Sequence, residues 1–280
     1  MKKKYILLVP VGGLANRMKA IDSAVALRER TNSDLHIVWF RDSGLNCRFD
    51  QLFEPIDIPG VTVTEATFPD LLRYDRPRRK NLFLPRLFQQ WQFDSRIYEM
   101  QTLQLFYDNF DFYNWAANRN VYIAAFVYFY PAPKDWDCFS IFKPLPNLAQ
   151  EIESRRAGFG TNTIGVHIRR TDNAISIAQS PTHLFINRME KELEQNNDTF
   201  YLATDSEEEK ALIIERFGEK ILFSTQKADR NTPAGIQEAL IELYLLSHTQ
   251  QVLGSVHSSY SETAAQIGRI PYELLQNKPE

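Results

Sequence analysis

Residues 163–172 read Thr-Ile-Gly-Val-His-Ile-Arg-Arg-Thr-Asp. A short apolar run, Thr163–Ile168, ends on a cluster of charged and polar residues. That is the pattern of a buried strand whose carboxyl end opens onto a ligand site. Downstream, helical and strand periods alternate. His183–Gln195 reads as a helix, Phe200–Thr204 as a strand, and Ser206 as the cap of a helix running to Phe217. Ile221–Ser224 is a strand, Gly235–Ser247 a helix, Gln251–Gly254 a strand and Ser259–Ile267 a helix. Strands alternating with helices at this spacing predict a parallel sheet covered on both faces.

Upstream the same logic recurs. Tyr5–Val11 is a continuous apolar run broken by Gly12 and Gly13. Asn16 reads as a helix N-cap. Met18, Ile21, Ala24 and Val25 recur at helical spacing, and the helix should end near Thr31–Asn32. Leu35–Phe40 is the next strand. A strand–helix–strand unit with a Gly-rich first turn starts a Rossmann-like domain. Val61–Thr64 and Val121–Tyr128 also read as strands, and the stretch from about 55 to 118 as irregular structure with short helices. The prolines at 131, 133, 144 and 146 mark a linker. The expected fold class is therefore α/β, with two Rossmann-like domains, 1–145 and 146–280, whose parallel sheets face each other across a cleft.

Composition narrows the function classes. The chain has 280 residues, 44% hydrophobic and 24% charged, with a formal net charge of −3. Nothing in that balance favours nucleic acid. Two cysteines, Cys47 and Cys138, are too few for a disulfide framework and lack metal-ligand spacing. The start imitates a signal peptide, but its apolar run covers only Tyr5–Val11 and meets a Gly-Gly turn, so a buried first strand accounts for it better. No apolar run approaches the roughly 20 residues of a spanning helix. These features lead to the expectation of a cytoplasmic protein, with peripheral membrane contact left open through the basic cluster Arg73, Arg76, Arg78, Arg79 and Lys80. There is no GxxxxGK[ST] loop and no third Gly after Gly12-Gly13, which excludes the P-loop and the dinucleotide fingerprint.

Four spots fall just past predicted strand ends: Gly12–Arg17, His167–Asp172, Thr204–Ser206 and Gly254–Ser259. Ligands of open α/β sheets bind at that rim. In His167-Ile168-Arg169-Arg170, strand alternation sets His167 and Arg169 on one face and Arg170 on another. A guanidinium can hold a diphosphate at two points, and a structural Arg–Asp ion pair fits the same residues. Glu242 is out of place on an apolar helix (Leu240, Ile241, Leu243, Leu245, Leu246). Recognition of a base explains it, and so does plain exposure. Thr204-Asp205-Ser206 reads both as a ligand contact and as a helix cap.

The segment IGVHIRRTDN resembles the donor-binding signature of the fucosyltransferase superfamily that includes the core α1,6-fucosyltransferases, the rhizobial nodulation fucosyltransferase and the protein O-fucosyltransferases. The likeness continues through FYLATDS, EALIELYLLSHTQQVLGS and HSSYSETAAQIG, over roughly residues 163–268, and GGLANRM resembles the Gly-rich first turn of the same proteins. The resemblance implies a GT-B enzyme that binds GDP-fucose mainly through its C-terminal domain. It also implies inversion at the anomeric carbon, no required metal or cofactor, and a glycan or glycolipid-linked acceptor, as in cell-surface polysaccharide synthesis. Carried over by position, Arg169 holds the β-phosphate and His167 lines the same pocket, with Arg170 beside them as a further candidate for donor binding. Asp205 contacts the nucleoside end, Glu242 accepts from guanine, and Ser258 and Ser259 bind the diphosphate at a helix N-terminus. Gly13 and Asn16 close on the phosphates from the other domain. The sequence departs from the pattern at three places: Asn173 replaces a Lys, Ser206 replaces an Asp, and 174–179 carries no acid where the family has its proposed catalytic carboxylate. Asp172 is then the candidate base, with Asp42 as the second choice. Another nucleotide sugar on the same fold, or a non-catalytic nucleotide- or glycan-binding protein, fits those departures too.

Overall fold

The computed structural model describes residues 4–131, 136–171, 174–196 and 198–277. The chain divides into two compact units: Met1–Leu145 with Arg230–Pro233, and Pro146–Asp229 with Ala234–Glu280.

The first unit contains β1 (Tyr5–Pro10), α1 (Leu14–Thr31), β2 (Asp34–Trp39), β3 (Val61–Glu65), α2 (Phe68–Arg73), α3 (Leu84–Gln92), β4 (Ser95–Tyr98), α4 (Met100–Tyr107), α5 (Phe112–Ala116) and β5 (Val121–Ala125). Its strands form one parallel sheet in the order β3-β2-β1-β5-β4. Ile6–Pro10 and Val121–Ala125 are buried throughout, because β1 and β5 lie at the sheet centre with both faces covered. Alternate residues Leu7, Val9 and Val11 join Val38, Phe40, Phe93 and Tyr122 in one apolar layer.

The helix after β1 starts earlier than its sequence suggests. Gly13, not Asn16, is the N-cap of α1, with an extended backbone and no side-chain cap bond. Gly12 turns the chain at φ +85°, a left-handed conformation, and a Cβ there would meet the Asn16 amide at 2.9 Å. Asn16 instead folds over that turn from the first turn of the helix. The C-terminal end follows expectation, with Asn32 in the left-handed conformation as C-cap.

The second unit contains α6 (Pro146–Arg156), β6 (Thr163–Ile168), α7 (Ala174–Gln179), α8 (Thr182–Gln195), β7 (Thr199–Thr204), α9 (Glu207–Phe217), β8 (Ile221–Phe223), α10 (Pro233–Ser247), β9 (Val252–Ser255), α11 (Ser259–Gly268) and β10 (Tyr272–Leu275). Its sheet is also fully parallel, ordered β10-β9-β6-β7-β8. One face of β6 and β7 (Ile164, Val166, Ile168, Phe200, Leu202) packs with Phe185 and Met189 of α8 and Ile213 of α9. The opposite face carries His167 and Tyr201. There Gly165 lets α10 approach, since a Cβ would meet the Leu246 side chain at 3.0 Å. Pro146, taken as linker from sequence, is the first residue of α6.

In the first unit Arg17 is wholly buried. It donates through Nε to Gly12 O at 2.8 Å, through Nη1 to Phe40 O at 2.5 Å and through Nη2 to Asp42 Oδ1 at 2.9 Å. Burial pushes its pKa down to about 10, against the pull of Asp42. Asp42 also takes the Gly44 amide at 2.9 Å and Arg76 at 3.5 Å. Asp42→Asn leaves a buried cation facing an amide, and unfolding in denaturant should show a loss of about 2 kcal/mol. An unchanged midpoint would mean that Arg76 and Gly44 alone hold this corner.

Candidate functional site

In the second sheet β6 and β9 are neighbours whose onward connections lead to opposite edges, so a topological switch point opens beyond their carboxyl ends. Three of the four sequence-predicted spots meet there. Arg169 lies one residue past β6. Its amide donates to Ser255 Oγ at 3.1 Å, and its carbonyl accepts from Arg170 Nη1 at 2.9 Å. The following turn is held by Asp205, whose carboxylate accepts from the Arg170 amide at 2.7 Å, the Thr171 amide at 3.2 Å and the Thr171 hydroxyl at 2.7 Å. Ser206 caps α9 by accepting from the Glu209 amide at 3.3 Å, as its position in the sequence suggests.

The two arginines have separate environments. Arg170 is buried, and its guanidinium is engaged by Glu209 at 2.7 Å, Thr182 at 2.9 Å and the carbonyl of Arg169. The structural ion pair considered for this motif is thus present, with Glu209 rather than an aspartate as partner. Asp205 likewise has its described bonds within the turn. Arg169 remains half-buried on a backbone pinned on both sides, with its positive charge near enough to His167 to oppose protonation there. Asp172 lies outside the described residues.

His167 is buried, and its pKa falls to about 4, chiefly through desolvation, with Asp205 pulling the other way. The ring is neutral near pH 7. Its Nδ1 lies 3.2 Å from Ser258 Oγ, and its face leans on Tyr260 with ring centroids 4.8 Å apart. Ser258 is the N-cap of α11, yet its hydroxyl faces His167 and makes no capping bond. The first amides of the helix, from Ser259 onward, therefore lack a side-chain cap. Such amides together with the helix dipole favour an anion.

Glu242 settles one alternative: it is 8% exposed, not a surface residue. Its neighbour one turn earlier, Glu238, is satisfied by Arg155 Nη1 at 2.5 Å and Ser224 Oγ at 2.5 Å. Glu242 has no hydrogen-bond partner among the described residues. Its pKa is pushed up to about 8, first by burial and then by Glu238. The phenol of Tyr201, on the same face of the sheet, is buried without a partner. It is held above its usual range by burial and then by Glu242. Tyr260 joins the two halves of the site: its ring touches His167, its hydroxyl donates to Ala239 O, and Glu242 raises its pKa further. A buried acid and a buried phenol, both lacking hydrogen-bond partners among the described residues and beside an uncapped helix end, suit a planar group with several N–H donors attached to an anion.

Sequence reading did not single out Ser255, Glu209, Tyr260 or Tyr201. Tyr201 had a signal, since alternation along β7 puts it on the face opposite Phe200 and Leu202.

In the first unit, Gly13 and Asn16 stand at the equally uncapped N-terminus of α1. An open pocket of about 430 Å³ lies past the ends of β2 and β3, lined by Phe40, Arg41, Asn46, Ala66, Thr67, Phe68 and Leu71.

No family model matches the chain, and no curated protein matches it in sequence. Solved structures do match. A NodZ alpha-1,6-fucosyltransferase soaked with GDP-fucose superposes with a TM-score of 0.67 at 17% identity, covering 95% of this chain and 93% of the other. The NodZ from Bradyrhizobium gives 0.66 at 18% identity over 94% and 92%. A mutant of Arabidopsis thaliana FUT1 in complex with GDP gives 0.63 at 14% identity, covering all of this chain and 71% of that one. POFUT1 in complex with GDP gives 0.56 at 10% identity over 98% and 99%. The chain has the fold of these fucosyltransferases.

Proposed function

We propose that the chain is an inverting glycosyltransferase that transfers fucose from GDP-fucose to a glycan acceptor. The observation that carries this reading is Glu242, a buried carboxyl group without a hydrogen-bond partner among the described residues, in the layer that also holds His167 and the uncapped end of α11. Guanine offers its N1–H and exocyclic amine to such a group. The structural neighbours that carry GDP or GDP-fucose support the assignment.

In this reading the unit after residue 146 holds the donor and the unit before it serves the acceptor, with the pocket near Phe40 and Asn46 as the acceptor side. An acceptor hydroxyl attacks the anomeric carbon as the bond to the β-phosphate oxygen breaks, and the departing diphosphate gains charge. Arg169, with Ser258, Ser259 and the amides of α11, stabilises that charge more in the transition state than in the ground state. The acceptor's proton goes to Asp172. The three hydrogen-bond donors around Asp42 support that choice over Asp42. Arg170 and Asp205 serve by fixing the turn that carries Arg169. No helix among the described residues is long and apolar enough to cross a membrane. We place the reaction in the cytoplasm, within cell-surface polysaccharide synthesis.

The test is incubation with GDP-fucose and a panel of glycans, read by NMR of the product. The expected product has the anomeric configuration opposite to the donor. Retained configuration, or no GDP release above background with any acceptor, would remove the reading.

A further inference from the structure

The helix α3 is built inside out. Its fully buried polar residue is Gln89, which donates to the carbonyls of Arg73 at 3.0 Å and Asp75 at 2.9 Å and accepts from the Tyr98 hydroxyl at 2.9 Å. Its apolar residues Leu84, Leu87, Phe88 and Trp91 follow the i, i+3, i+4, i+7 spacing of a core-facing stripe, yet they face solvent. Trp91 is 90% exposed and Leu87 63%. Just before the helix, Leu82 and Phe83 both adopt left-handed backbone conformations, φ 53° and 58°, and Leu82 is 78% exposed. Two successive non-glycine residues in that region are costly, and here they hold two more apolar side chains outward. Soluble surfaces rarely keep so continuous an apolar stripe uncovered.

The surroundings are basic. Arg73, Arg79, Lys80 and Arg86 are exposed and form no ion pair among the described residues. Between Arg73 and Trp91 the single acid, Asp75, is buried and already bound by Arg78 and Asn81. Leucines, phenylalanine and an exposed tryptophan bordered by unpaired cations suit a surface that is apolar beneath a negative outer layer.

We propose that the segment from Leu82 to Trp91, with its flanking cations, docks the protein on an anionic phospholipid bilayer. Leu87, Phe88 and Trp91 enter the boundary between headgroups and acyl chains, and Arg79, Lys80 and Arg86 meet lipid phosphates. Bilayer docking is independent of the transferase assignment, and its test uses no catalytic readout.

The test is flotation of the full chain with vesicles of phosphatidylcholine alone or mixed with phosphatidylglycerol. Binding is expected only to the mixed vesicles, with a blue shift of tryptophan fluorescence that is lost in Trp91→Ser. The pair Leu87→Ser and Trp91→Ser, and separately Arg79→Gln with Lys80→Gln, should each lower binding about tenfold, and added salt should weaken the wild type. All four side chains are exposed, so thermal melting should stay unchanged and report on folding. Equal binding to both vesicles, binding indifferent to Leu87 and Trp91, or no binding would overturn the proposal. So would self-association without lipid that the Leu87→Ser, Trp91→Ser protein loses, since a second copy would then cover the stripe.

Discussion

Arg169→Ala lowers the transfer rate by on the order of a hundred- to thousandfold, while the protein melts within a few degrees of wild type. The expectation rests on how the two neighbouring arginines differ. Arg170 is bound by Glu209 and Thr182 and by the carbonyl before it. Removing it leaves Glu209 without its cation and loosens the turn, so Arg170→Ala should show mainly in melting temperature. Arg169 stands half-buried on a backbone fixed at Ser255 Oγ and at Arg170 Nη1, at the carboxyl end of β6. A preoriented cation helps most where charge develops, and in the proposed transfer that is the departing diphosphate. Arg169→Lys keeps the charge but loses the planar fork, so it should recover only part of the rate. A rate within tenfold of wild type for Arg169→Ala, measured with saturating GDP-fucose, would move the phosphate contact elsewhere.

GDP binding should tighten about tenfold per pH unit from pH 6 to about 8 and level off above that, with roughly one proton released per GDP at the acid end. Guanine's N–H groups need an ionised acceptor, whereas the empty site holds Glu242 protonated below its pKa of about 8. The groups around it are Glu238 and Glu207, which raise that value, Lys210 and Arg155, which lower it, and the phenols of Tyr201 and Tyr260. Glu242→Gln should bind GDP about a hundredfold more weakly above pH 8, and its affinity should lack this pH dependence. The phosphate's own ionisation is shared by both proteins and cancels in their ratio. Stability carries the opposite sign. A carboxyl whose folded pKa is raised stabilises the empty fold below its unfolded value near 4.5 and loses that contribution as pH rises through about 8. Without nucleotide, Glu242→Gln should therefore melt higher than wild type above pH 8. Calorimetry in buffers of different ionisation enthalpy reads the proton, and parallel pH profiles for the two proteins would contradict the role of Glu242.

The central strands were legible because burial on both faces writes a continuous apolar run. Thr163–Ile168 is buried at every position and was read with its observed bounds. The edge strand Ser95–Tyr98 was not legible, since only Ile97 is buried and one residue makes no period. α6 buries little more than Leu148 and Ile152, and Pro146 at its start, two residues after Pro144, reads as a break. The N-terminus of α1 was misplaced because a glycine there leaves no capping side chain to find, whereas Ser206 signals its helix by its hydroxyl.

The site shows the same division. Glu242 stands out in the sequence as an acid on an apolar helix, and the structure shows it buried, which rules out plain exposure as its explanation. That Arg170 is committed to the fold depends on Glu209 and Thr182, far along the chain, and local alternation carries no trace of them. His167 was placed in the site from its strand-end position, but its neutrality comes from burial and its orientation from Ser258 and Tyr260. Those contacts exist only once β6 and α11 pack.

Calorimetric titration of the wild-type chain with GDP, against UDP and ADP, is the most direct test of a guanine-diphosphate site in the second unit. Binding of GDP at least tenfold tighter than of either control, and lost in Arg169→Ala, is the predicted result. Equal affinity for all three nucleotides, or no binding of any, would contradict the account and leave the chain with the fold of fucosyltransferases but not their donor.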